Sequence, residues 1–188
     1  MKIGVITSSV EYLTTIINVI NTTNDNDTIN DNDTTNDIIY IITNHPDVLT
    51  YCVVNLKPTL KILYIKTADN INDEFISILP KVDLQIIYSF YIIPKILYMH
   101  PKYKTINIHY SLLPSYRGPN PVLAQILRNE KYTGSYFDLL DAAEAPSGEA
   151  SHKLKSIAEK LKAARISKEE KVPVFYGCKG FVSEIAAT

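Results

Sequence analysis

Short runs of β-branched and aliphatic residues recur along the first two-thirds of the chain. Each is closed by turn-forming residues, and most are followed by a stretch with helical spacing. Lys2 to Thr7, Ile38 to Thr43, Leu60 to Lys66, Leu84 to Tyr88 and Thr105 to His109 read as strands. Continuous apolar runs of this kind suit strands buried on both faces of a parallel sheet. Ser8, Ser9 and Glu11 can open a helix in which Leu13, Ile16, Ile17 and Ile20 share one face. Asn44-His45-Pro46-Asp47 reads as a turn. Asn72 to Leu79, Pro94 to Met99 and Pro121 to Leu127 have helical spacing. The last would set Val122, Leu123, Ile126 and Leu127 on its apolar side. Strands alternating with helices predict an α/β fold, a parallel sheet with helices on its faces. Ligands of such sheets bind beyond the carboxyl ends of the strands.

Two stretches break the pattern. Residues 21–37 contain only Asn, Asp and Thr apart from Ile29. They cannot bury apolar surface and read as a surface insertion. A calcium loop is not indicated, because the EF-hand glycine and terminal glutamate are missing. Beyond Gly134 the composition itself changes. Asparagine is absent after Asn129, and alanine, seen earlier only at Ala68 and Ala124, becomes frequent. Glu149 to Arg165 has amphipathic spacing, with Leu154, Ile157, Ala158, Leu161 and Ala164 on one side; Val172 to Tyr176 could form a strand. The division expected is an α/β domain over 1–134 and a divergent or foreign helical segment over 135–188, packed on the same domain or beside it.

The 188 residues suffice for one domain with a real core. A formal net charge of -1 provides no basic field, and no basic stripe is interleaved with aromatics, so a nucleic-acid module is disfavoured. Cys52 and Cys178 lie far apart and suggest no disulfide framework. No signal-peptide pattern or membrane-length apolar stretch is visible, so a soluble cytoplasmic protein is expected. No Cys/His spacing suits a metal, and no glycine-rich loop suits a phosphate. His45 and His100, each beside a proline, read as surface residues, and His152 has no visible partner.

The most informative segment is Asn107-Ile-His109-Tyr-Ser111-Leu-Leu-Pro114-Ser-Tyr116-Arg117-Gly118-Pro-Asn-Pro121. It sets a carboxamide and an imidazole two residues apart at a strand end, hence on one face. A carboxamide can donate to a developing oxyanion, and an imidazole can move a proton near neutral pH. Seen singly, the bland readings are a turn-forming asparagine and a structural histidine.

The pattern N-x-H-x-S-L-L-P-x-Y-R-G-x-x-P resembles the signature of the 10-formyltetrahydrofolate-dependent formyltransferases, which act on methionyl-tRNA, glycinamide ribonucleotide or amino sugars. Asp83 to Pro94 is similar to the family's folate-lining strand and loop, and Met1 to Thr7 to its first strand. The resemblance implies a Rossmann-like parallel-sheet domain with an atypical last third. It puts Asn107 on the oxyanion and His109 in proton transfer. Ser89, Phe90, Ser111, Leu112, Leu113 and Pro114 would lie along the folate, with Tyr116 and Arg117 near the acceptor. It implies 10-formyltetrahydrofolate as co-substrate, a small-molecule amine as acceptor and no metal; a homodimer is compatible with it. Tyr-Arg-Gly tilts the acceptor toward an amino-sugar nucleotide, with glycinamide ribonucleotide or methionyl-tRNA as alternatives. The family's aspartate, downstream of the histidine in a D-x-G context, has no counterpart: its ungapped position is Ala145. Asp141 and Glu144 are the neighbouring candidates. A catalytically silent, folate-binding or structural domain is the competing reading.

Overall fold

A computed structural model of the protein describes residues 1–25, 36–88, 93–109, 111, 115–116, 118, 120–130, 136–141 and 147–169. The five apolar runs form the parallel strands β1 (Lys2–Thr7), β2 (Asp37–Thr43), β3 (Lys61–Tyr64), β4 (Leu84–Tyr88) and β5 (Lys104–His109). A sixth strand, β6 (Tyr136–Asp141), pairs antiparallel with β5, and the sheet order is β3-β2-β1-β4-β5-β6. The sheet is Rossmann-like: chain order reverses between β1 and β4, which lie side by side.

Helices cover both faces. On one side lie α1 (Val10–Asp25), α2 (Pro46–Asn55) and α6 (Gly148–Glu169); on the other lie α3 (Asp73–Ser77) and α4 (Lys95–Tyr98). The connections dictate this division. β1 to β2 to β3 step toward one edge of the sheet, and β4 to β5 step toward the other, so crossovers of one hand put their helices on opposite faces.

The first face is aliphatic. Ile3, Val5, Leu84, Ile86, Ile106 and Ile108 meet Leu13, Ile16 and Ile20 of α1 in one cluster. Leu154, Ile157, Ala158 and Leu161 of α6 belong to that same cluster. A fully buried side chain of this size contributes roughly 1.5–3 kcal/mol. The change in composition after Gly134 therefore does not coincide with a break in packing. The opposite face mixes Ile6, Ile42, Ile87 and Leu97 with polar groups. There the Tyr40 hydroxyl donates to Gln85 Oε1 at 2.7 Å, and Gln85 Nε2 donates to the Leu97 carbonyl at 3.2 Å. Gly4 lies beneath Tyr40: a Cβ at position 4 would stand 2.3 Å from the ring.

Several expectations change. The tract over 21–37 is not wholly an insertion, since α1 runs on to Asp25. Thr22 and Thr23 bond back to the Val19 carbonyl, satisfying their hydroxyls inside a helix. The turn at Asn44 to Asp47 opens α2, which periodicity had not marked; His45 is its cap and accepts from the Asp47 amide. His100 is buried rather than exposed, because the chain leaving α4 turns back toward β5, and its Nε2 lies 3.0 Å from the Pro80 carbonyl. In α5 (Pro121–Leu127), Ile126 and Gln125 are buried, whereas Leu123 and Leu127 are 53% and 77% exposed. Seven residues make only two turns, and a single narrow stripe of them is buried. Residues 26–35 and the strand expected at Val172 to Tyr176 lie outside the described residues.

Candidate active site

Asn107 and His109 occupy the carboxyl end of β5. Ile106 and Ile108, the alternate residues, are buried against α1 and α6, so Asn107 and His109 face the other way. Along an extended strand their Cα atoms are about 6.6 Å apart. Both are partly exposed. Thr105, next on the same face, is fully buried and donates to the Tyr98 carbonyl at 2.7 Å, tying α4 to β5 below the pair. On β4, Ile87 stands beside Asn107 and Tyr88 beside Ile108.

The chain then turns sharply. The Ser111 hydroxyl donates to the Ser115 carbonyl at 2.8 Å, and Ser111 is fully buried, so that hydroxyl closes the turn. Tyr116 has φ 56 and Gly118 has φ 118. Gly118 tolerates this backbone freely, whereas left-handed backbone is uncommon for a tyrosine. The turn brings the Tyr116 carbonyl to 3.0 Å from His109 Nε2. The Tyr116 hydroxyl donates to Glu130 Oε1, and the Arg128 guanidinium lies 5.3 Å from the ring centroid. Accepting by the Glu130 carboxylate favours the protonated phenol and holds its pKa above the ordinary value. Arg128 and Glu130 carried no signal in the sequence: they meet Tyr116 only because α5 returns past the turn.

The register of β6 bears on the missing aspartate. Asp138 is the partner of Asn107, and Tyr136 is the partner of His109. Asp141 pairs with Lys104, at the other end of β5. That is five residues from His109, about 16 Å along the strand. Asp141 is therefore not placed to serve His109. Glu144 lies outside the described residues, as do Ser89, Phe90, Leu112, Leu113, Pro114 and Arg117. Among the described residues no cluster of His, Cys, Asp or Glu is arranged to hold a metal ion, and no helix is long and apolar enough to cross a membrane. Cys52 is buried beneath α2, and desolvation pushes its thiol up to about 11, far from the range of a reactive nucleophile.

Comparison with known proteins places this geometry. A methionyl-tRNA formyltransferase of Azobacteroides pseudotrichonymphae genomovar. CFP2 is 42% identical over 59 residues, which are 31% of this chain and 18% of that protein. Matches to curated relatives of the same name cover from 14% to 27% of their length, so the chain aligns with only a small part of each. In fold, the chain resembles a phosphoribosylglycinamide formyltransferase from Anaplasma phagocytophilum. The TM-score is 0.52 at 18% identity, over 88% of this chain and 81% of that one. It also resembles a formyltetrahydrofolate deformylase from Pseudomonas syringae pv. tomato str. DC3000, with a TM-score of 0.53 at 17% identity, over 87% of this chain and 59% of that one. The formyl transferase family model matches residues 16–144, a stretch that runs from α1 through β6 and contains the whole Asn107–Gly118 turn. With a paired carboxamide and imidazole at the end of β5, on this sheet and within that match, the chain belongs to the formyl transferase family.

Proposed function

We propose that this chain transfers a formyl group from 10-formyltetrahydrofolate to a primary amine. The observation that carries the reading is the placement of Asn107 and His109 on one face, at the ligand-binding end of a parallel strand. The amine nitrogen bonds to the formyl carbon, and the carbonyl electron pair moves onto oxygen. The Asn107 amide donates to that oxyanion while His109 accepts the proton from nitrogen. On collapse the C=O reforms, the bond to the folate nitrogen breaks, and His109 returns the proton to it. The products are a formamide and tetrahydrofolate. Residues 89–90 and 112–114 would line the folate, Ser111 being buried with its hydroxyl on the Ser115 carbonyl rather than along the folate, and Tyr116 and Arg117 would face the acceptor. For that acceptor we favour an amino-sugar nucleotide, on the Tyr116-Arg117-Gly118 sequence.

A second reading, a silent folate-binding domain, draws on the position of Asp141 at the far end of β5. One experiment separates the two. Purified protein is given 10-formyltetrahydrofolate with an amino-sugar nucleotide, glycinamide ribonucleotide or methionyl-tRNA, and folate absorbance is followed. Turnover is expected with the sugar nucleotide. It should fall on the order of a hundredfold or more in Asn107→Ala and comparably in His109→Ala. Folate binding without turnover on any acceptor would replace transfer by the second reading, and absence of folate binding would leave only a silent structural domain.

A further inference from the structure

The imidazole of His109 is held by a main-chain group. Its Nε2 lies 3.0 Å from the Tyr116 carbonyl oxygen. A carbonyl only accepts, so Nε2 carries the proton, and the lone pair of the neutral ring stands on Nδ1. The same bond survives protonation, because Nε2–H is a donor in the imidazolium as well. One acceptor thus sets the tautomer and fixes the ring orientation. A buried carboxylate performs these tasks in hydrolytic triads. Here Asp141 pairs with Lys104, at the opposite end of β5 from His109.

Tyr116 presents its carbonyl by adopting φ 56. Left-handed backbone is unfavourable for a non-glycine residue and persists only where its surroundings over-determine it. Those surroundings come from the end of α5. The Asn129 amide donates to the Ile126 carbonyl at 2.9 Å, and the Glu130 amide donates to the Gln125 carbonyl at 3.1 Å. With Asn129 at φ 54, this pair of bonds closes α5 as a Schellman motif. The motif fixes the residues on either side of Asn129, and these are the two that hold Tyr116. Arg128 stacks over its ring and Glu130 accepts from its hydroxyl. The second left-handed residue of the region thereby supports the first.

We propose that the Tyr116 main-chain carbonyl orients the His109 imidazole with its lone pair on Nδ1, and that the cap of α5, through Arg128 and Glu130, holds Tyr116 in the backbone conformation this requires. Tyr116, Arg128 and Glu130 are then positioning residues. The use made of the lone pair rests on the formyl-transfer reading; the tautomer itself is measurable without turnover.

The test is nitrogen NMR of protein labelled with 15N-histidine, with His109→Ala identifying the His109 signals. In the wild type, neutral His109 should be a single Nε2–H tautomer. Tyr116→Val, whose branched side chain disfavours left-handed backbone, should give mixed tautomers. Its kcat should fall roughly tenfold to a hundredfold. Tyr116→Gly deletes more of the side chain yet adopts positive φ freely, and it should keep the Nε2–H form. A role of the side chain alone would reverse that order. Glu130→Ala, at an exposed position, leaves the core intact and should shift the tautomer as Tyr116→Val does. An Nδ1–H tautomer in the wild type, or an unchanged tautomer in both Tyr116→Val and Glu130→Ala, would overturn the proposal. If no amine is formylated while the tautomers behave as stated, the transfer reading fails and the positioning of the ring stands.

Discussion

The two faces of the sheet are built for different purposes. The face under α1 and α6 is almost wholly aliphatic, from Ile3 and Val5 to Ile157 and Leu161. The face under α3 and α4 carries Tyr40, Gln85 and Thr105, all buried and hydrogen-bonded, in a band that ends at Asn107 and His109. Dispersion and apolar burial are non-directional, so the first face tolerates any well-packed aliphatic set. Buried polar groups are satisfied only in one geometry. The second face therefore positions the strand end that bears the candidate site, while the first supplies most of the stability.

That contrast can be broken from either side. The largest effect is expected on the aliphatic face. Ile157→Ala removes a fully buried side chain of α6 and should cost about 2–5 kcal/mol in denaturant unfolding. A cost near zero would mean that α6 is not part of the cooperative unit. Tyr40→Phe keeps the ring over Gly4 but leaves Gln85 Oε1 without its donor. We expect a loss of about 1–3 kcal/mol and, on the formyl-transfer proposal, weaker folate binding as α4 and β5 loosen. Equal stability with unchanged binding would show the polar band to be dispensable.

A smaller effect should appear as pH dependence. Burial, reinforced by Lys81, lowers the pKa of His100 from its ordinary value of 6.5, against a hydrogen bond to Pro80 that raises it. The unfolded chain then binds a proton that the folded one refuses. The contribution of His100 is complete above 6.5 and is lost as pH falls from there toward the folded value. His100→Gln should flatten that limb of a stability–pH curve, and an unchanged limb would assign it to other groups. Smallest of all, Leu127→Gln on the exposed side of α5 should change stability by no more than about 0.5 kcal/mol. A larger loss would reveal that Leu127 has a partner.

Periodicity exposed the strands because it follows from backbone geometry. Side chains alternate along a strand whatever surrounds it, so the shared face of Asn107 and His109 was readable from their spacing alone. The helices were less legible where they are short. α2 begins at a proline after a turn signal, and in α5 the pattern of apolar residues did not say that Ile126 alone of the four would be buried, beside Gln125. β6 falls where the composition shifts, and its register, which separates Asp141 from His109, depends on pairing with β5.

From residue types and order alone came the alternating architecture, the carboxamide–imidazole pair and the formyltransferase resemblance, because each is carried by neighbours along the chain. Only the tertiary structure decided that His100 is buried, that α6 shares the core of α1, and that Tyr116 turns its carbonyl onto His109 with Arg128 and Glu130 behind it. Those outcomes depend on segments distant in sequence arriving at one place, and local propensity holds no record of such meetings.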